Sequence, residues 1–145
     1  MKDFKTILFV EDNPKDVELT LEALGEYKLA NQVVVVNDGV AAMDYLRCRG
    51  NHAKRKPENP AVILLDIKLP RMDGLEVLRA IRSEDALKTI PVVMLTSSRE
   101  TPDLKTSYAL GANAYVVKPV SFKEFIDAVK HLGVFWALIN EVPPQ

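Results

Sequence analysis

The sequence predicts an α/β protein built on a parallel sheet with helices on both faces, and two observations carry this. Five short apolar runs, at residues 6–10, 33–36, 61–65, 91–95 and 114–117, are each followed by a stretch with helical spacing. None of the runs shows the apolar–polar alternation of a half-exposed strand, so they read as strands buried on both sides. Strands alternating with helices imply βαβ units, right-handed crossovers and a parallel sheet. The pattern leaves the strand order open; 2-1-3-4-5 is one of two common solutions.

Local chemistry supports each element in turn. The first strand runs into Glu11-Asp12-Asn13; Asn13 is a helix cap and Pro14 suits a first helical turn. Val17, Leu21 and Leu24 continue that helix to about residue 27. After the second strand, Asn37-Asp38-Gly39 is a turn, with Asp38 or Asn37 capping a helix that carries Ala42, Tyr45 and Leu46 and ends near Gly50. Residues 51–60 hold Lys54, Arg55 and Lys56 in a row and prolines at 57 and 60, and read as a solvated loop. The third strand leads to Asp66; a helix starts at Asp73 or Gly74 and carries Leu75, Leu78, Ala80 and Ile81 to about Ser83. The fourth ends at Thr96-Ser97-Ser98, and Pro102 opens a helix with Leu104, Tyr108 and Leu110 that Gly111 stops. The fifth ends at Lys118-Pro119. Ser121 then caps the last helix, with Glu124 completing a capping box. Phe122, Phe125, Ile126, Val129 and Leu132 form its inward stripe.

Composition narrows the class. A chain of 145 residues, 48% hydrophobic and 27% charged, suits one soluble globular domain. A net charge of -1 argues against a broad basic face for nucleic acid. Cys48 is the only cysteine, which excludes an intramolecular disulfide and a cysteine metal site and fits a reducing, cytoplasmic setting. No apolar run is long enough for a signal peptide core or a membrane span.

The strand ends carry the chemistry. The first strand finishes on Glu11 and Asp12, the third on Asp66, the fourth on Thr96 and the fifth on Lys118. In a parallel sheet these side chains gather on one edge, where open α/β sheets bind their ligands. Carboxylates gathered there raise one another's pKa, and a hard divalent cation relieves the repulsion. A lysine ammonium and a threonine hydroxyl suit phosphate oxygens, and a carboxylate can attack phosphorus to form an acyl phosphate. The expected chemistry is magnesium-assisted phosphoryl acceptance with Asp66 as nucleophile.

This constellation resembles the receiver domain of two-component response regulators. The resemblance rests on Glu11-Asp12, the run DIKLPRMDG at 66–74, Thr96-Ser97, Gly111-Ala112 and Lys118-Pro119, and covers residues 4–132. It implies a flavodoxin-like, doubly wound five-stranded fold of order 2-1-3-4-5. It implies phosphorylation of Asp66 by a sensor histidine kinase, with Thr96 and Lys118 holding the phosphoryl group. It implies Mg2+, with Mn2+ as a substitute, held by Asp12, Asp66, the Lys68 carbonyl and, through water, Glu11. It implies a cis Lys118–Pro119 peptide bond and a switch in which Thr96 moves toward the phosphate and Tyr115 turns inward. It implies that Lys68 and Ser98 occupy the positions that tune dephosphorylation, with Lys68 expected to hinder or misorient the attacking water.

The expected organisation is a receiver domain over 1–132 and an extension of the last helix over 133–145, with Pro143 and Pro144 as its stop and no separate effector domain. Phe135, Trp136, Leu138 and Ile139 are large apolar groups beyond the receiver body. Such clusters mark interaction surfaces, so a homodimer through Phe135, Trp136 and Ile139 is expected. The tail, the 51–60 insertion and the opening ILFVEDNPKDVEL resemble small stand-alone regulators paired with bacterial phytochromes, which makes the expected partner a light-regulated kinase. An alternative role is a phosphorelay intermediate that hands its phosphoryl group to a histidine phosphotransfer protein. Neither reading makes the chain an enzyme beyond its own phosphoryl transfer and slow autodephosphorylation, and neither needs nucleic acid or a membrane. An aspartate-nucleophile phosphatase would need an acid at position 68, which is lysine, and no glycine-rich loop supports a flavin or nucleotide site. A receiver that only scaffolds fits poorly, since every acceptor residue is present. His52 and His131 read as ordinary surface residues.

Overall fold

All five apolar runs form strands. The computed structural model describes residues 6–25, 33–97 and 102–131. In chain order the elements are β1 (Ile7–Val10), α1 (Pro14–Gly25), β2 (Val33–Val36), α2 (Gly39–Arg47), a short 3-10 turn (Gly50–His52), β3 (Val62–Asp66), α3 (Gly74–Ser83), β4 (Val92–Thr96), α4 (Pro102–Ala109), β5 (Ala114–Val117) and α5 (Phe122–His131). The strands form one parallel sheet in the order β2-β1-β3-β4-β5, the flavodoxin-like arrangement. No helix among the described residues is long and apolar enough to cross a membrane.

Strand residues alternate between two apolar layers, because successive side chains point to opposite faces. Leu8, Val10, Ile63, Leu65, Val92 and Met94 pack with Met43, Leu46, Val77, Leu78 and Ile81 from α2 and α3. Ile7, Phe9, Val62, Leu64, Val93 and Leu95 pack with Leu24 of α1 and with Phe125, Ile126 and Val129 of α5. Every described residue of β1, β3 and β4 is buried, which is why none of these runs alternates in sequence.

The caps match the turn chemistry. Asn13 Oδ1 accepts from the amides of Lys15 (2.9 Å) and Asp16 (3.2 Å). Asp38 Oδ1 accepts from Ala41 N at 2.7 Å. Asp73 and Glu76 form a reciprocal capping box at the start of α3. Ser121 Oγ accepts from Glu124 N at 3.1 Å.

Four local expectations need correction. β3 and β4 each start one residue later than the apolar runs at 61–65 and 91–95, while Asp66 and Thr96 close these strands as the strand-end reading has it. Asp66 still pairs with Leu95, and the ladder continues through Ile67 N to Leu95 O at 3.2 Å. α2 stops at Arg47, short of Gly50: Cys48 turns left-handed (φ 56°), and the amides of Cys48 and Arg49 close onto Tyr45 O and Asp44 O. The 51–60 segment is not wholly solvated. Lys54 and Lys56 are exposed, but the Arg55 guanidinium lies 4.0 Å over the Tyr45 ring and donates to Tyr45 O and Glu58 O. His52 is half-buried and packs edge-on against the same ring, with centroids 5.0 Å apart. The side chains of Leu104, Phe122 and His131, and residues Ser98, Leu132, Phe135, Trp136, Leu138, Ile139, Pro143 and Pro144, lie outside the described residues.

Candidate functional site

Sheet register assembles the site. Val10 pairs with Leu65, so Glu11 and Asp66 follow side by side. Thr96 pairs with Val117, and the Lys118 amide donates to Thr96 O at 2.8 Å, so Lys118 emerges beside them. Glu11 is further fixed by its amide to Val36 O (3.0 Å) and by Asn37 Nδ2 to its carbonyl (3.1 Å). The Lys118–Pro119 peptide bond is cis.

Carboxylate oxygens of Glu11, Asp12 and Asp66 all lie within 4.8 Å of one another. Lys118 Nζ donates to Glu11 Oε1 at 3.0 Å, Asp66 Oδ2 at 3.0 Å and Asp16 Oδ2 at 3.1 Å. The Lys68 amide donates to Asp66 Oδ1 at 3.3 Å. Glu11, Asp66 and Thr96 are buried, whereas Asp12 is exposed at the mouth. Glu11, Asp12, Asp66, Lys68 and Lys118, with Asn13, Pro14 and Asp16, line an open depression of about 530 Å³.

Electrostatics show how the charges of the site are balanced. Burial, then the hydrogen bond and charge of Asp66, push the Glu11 carboxyl up to about 7, against the opposing pull of Lys118. Burial pulls the Lys118 ammonium down, but its bonds to Asp66, Glu11 and Asp16 outweigh that and hold it above its ordinary range. One ammonium therefore does not neutralise the carboxylates around it. Clustered oxygen donors with surplus negative charge suit a hard divalent cation. Glu11, Asp12 and Asp66 fit that group.

The loop after β3 is shaped by close approach. A Cβ on Gly74 would sit 2.1 Å from Asp66 O and 2.8 Å from Ile67 Cα. Gly74 N donates to Ile67 O at 2.8 Å, which draws the start of α3 under the site. A Cβ on Gly39 would likewise meet Met72 O at 1.9 Å, so the turn before α2 touches the same loop.

The structure brings Glu11, Asp12, Asp66, Lys68 and Lys118 together, with Thr96 at the adjoining strand end. Tyr115 stands apart on β5, half-buried, its ring edge-on to that of Tyr108 at 6.0 Å. Asp16 lines the depression and pairs with Lys118, and sequence reasoning missed it. Its place in the first turn of α1 suggests only a helix-dipole acid, and no local pattern pairs it with Lys118, 102 positions away.

A flavodoxin-like sheet with an acid cluster and a lysine at its carboxyl edge defines the class, and the chain belongs to the response regulator receiver domain family, whose model matches residues 7–130. Within it the chain is similar to regulators associated with phytochromes. The structure of the bacteriophytochrome response regulator RtBRR superposes with a TM-score of 0.86 at 58% identity, covering 98% of this chain and 86% of that one. Response regulator Rcp1 of Synechocystis sp. is 38% identical over 132 residues, 91% of this chain and 88% of that protein. A solved Mn2+-bound form of Rcp1 has a TM-score of 0.74 at 37% identity, covering 97% and 99% of the two chains. The phosphorylated cyanobacterial phytochrome response regulator RcpA gives 0.76 at 40% identity, covering 99% of this chain and 100% of that one.

Proposed function

We propose that this protein accepts a phosphoryl group on Asp66 from a sensor histidine kinase of the phytochrome type, in a magnesium-dependent reaction, and signals by altered protein–protein binding. The observation that carries this is the Asp66 carboxylate, buried yet open to the depression, grouped with Glu11 and Asp12 and 3.0 Å from the Lys118 ammonium. The relatives support it: one is described as phosphorylated and another as binding Mn2+.

An Asp66 oxygen attacks phosphorus as the phosphorus–nitrogen bond of the phosphohistidine breaks, and the electron pair stays on the imidazole nitrogen. Catalysis of such transfer is mostly positioning and charge neutralisation. Lys118 and the Thr96 hydroxyl hold phosphoryl oxygens, and the Lys68 amide keeps Asp66 oriented. A divalent cation held by Glu11, Asp12, Asp66 and the Lys68 carbonyl would supply further neutralising charge. The protein turns over no separate substrate; it catalyses its own phosphorylation and slow hydrolysis. Tyr115 reports the change at Thr96 to the β5 surface, and the chain pairs with a second copy through Phe135, Trp136 and Ile139. Trp136→Ala is expected to sediment as a monomer.

Incubation with acetyl phosphate and magnesium, followed by intact mass measurement, tests the central claim. One added phosphoryl group is expected, absent in Asp66→Asn and absent after chelation. No addition to the wild-type chain would sink the reading.

A further inference from the structure

We infer that Asp16 is a positioning residue for the phosphoryl-transfer site: it restrains the Lys118 ammonium in the resting protein and slows phosphoryl uptake while strengthening metal binding. The inference rests on the phospho-acceptor reading and goes beyond it.

An ammonium has three N–H donors. In Lys118 all three face carboxylates, those of Glu11, Asp66 and Asp16, at 3.0–3.1 Å. A phosphoryl oxygen can claim one of these donors only if a partner lets go. Glu11 and Asp66 are 1% and 5% exposed and belong to the acid group suited to a cation; Asp16 is 28% exposed and stands outside that group. Asp16 is therefore the partner that yields.

Local geometry explains why Asp16 is available. It is the third residue of α1, after the cap Asn13, where an acid ordinarily reaches back to the cap amide. Here Glu11 Oε2 already accepts from Asn13 N at 3.2 Å. The Asp16 carboxylate turns to Lys118 instead, linking α1 to the residue that follows β5.

Charge gives the direction. Asp66 loses its own negative charge when the acyl phosphate forms, and the phosphoryl group brings about two, so the site gains net negative charge. Asp16 opposes that gain without holding the metal. In the resting site its charge attracts a cation, and by sharing Lys118 it lessens the competition of the ammonium for Glu11 and Asp66. Removing the charge but not the shape then shifts the two properties in opposite senses, which simple loss of structure would not do.

The test compares Asp16→Asn with the wild-type full chain. Phosphoryl uptake from acetyl phosphate is followed by intact mass at saturating magnesium, and magnesium affinity of the unphosphorylated protein by titration calorimetry. Uptake about threefold faster and magnesium binding about threefold weaker are expected, the scale of a partly exposed ion pair. Asp16→Glu, which keeps the charge, is expected to bind magnesium as the wild type does. If wild-type protein is phosphorylated but Asp16→Asn matches it in both measurements, or loses both rate and affinity, this inference falls alone. If wild-type protein takes up no phosphoryl group, the phospho-acceptor reading falls and this inference with it.

Discussion

Glu11 shows how much a single side chain depends on its neighbours. Its carboxyl is raised from an ordinary 4.5 to about 7, chiefly by burial and then by Asp66. A group whose pKa rises on folding gives its full stabilisation below the unfolded value and loses it as pH climbs through the folded one. Metal-free protein is therefore expected to lose stability between pH 4.5 and 7 on account of this residue. Urea unfolding of wild type and Glu11→Gln across that range checks it: the difference between them should change with pH, and magnesium should shrink it at the upper end. Glu11, Asp12, Asp66 and Lys118 were legible in the sequence because each interrupts or closes an apolar run. Asp16 was not, since an acid in a first helical turn has an ordinary explanation. Arg55 was hidden for a different reason: its aromatic partner Tyr45 lies on a preceding helix, and nothing local pairs them.

At the scale of elements, two joints hold the loops to the sheet. Gly74 lets α3 start against the end of β3. Gly74→Ala places a methyl 2.1 Å from Asp66 O and is expected to destabilise the fold by about 3 kcal/mol, the cost of forcing backbone apart in a packed site. Chemical denaturation with and without magnesium measures both the loss and any displacement of Asp66. The second joint is Arg82 at the end of α3. Its guanidinium donates to Gly111 O (2.9 Å), Lys88 O (3.1 Å), Ile90 O (2.9 Å) and Asn113 Oδ1 (2.8 Å), fastening the entries to β4 and β5. A lysine has the charge but not the planar fork. Arg82→Lys is expected to cost about 2 kcal/mol in urea unfolding, because acceptors are left without donors. Element identities and caps could be read from periodicity and turn residues. Strand starts could not, because Ala61 and Pro91 belong to the apolar runs yet lie outside β3 and β4. The end of α2 escaped because a cysteine, not a glycine, takes the left-handed position.

For the whole molecule, the fold class followed from five buried runs alternating with helices, but the strand order did not. Periodicity says which residues are buried, not which strand lies beside which; β1 sits between β2 and β3 because of crossover packing that no local pattern records. The same topology makes nearly every strand pairing distant along the chain, and such folds form slowly. Removing the chain after Leu110 deletes β5 and Lys118 together, and circular dichroism of that fragment is expected to show loss of cooperative unfolding even with magnesium. Glu11 and its ammonium partner stand 107 positions apart. On the ribosome the acids thus emerge long before Lys118, and the ion pairs that tie the first strand to the residue after β5 can close only once β5 itself has been released.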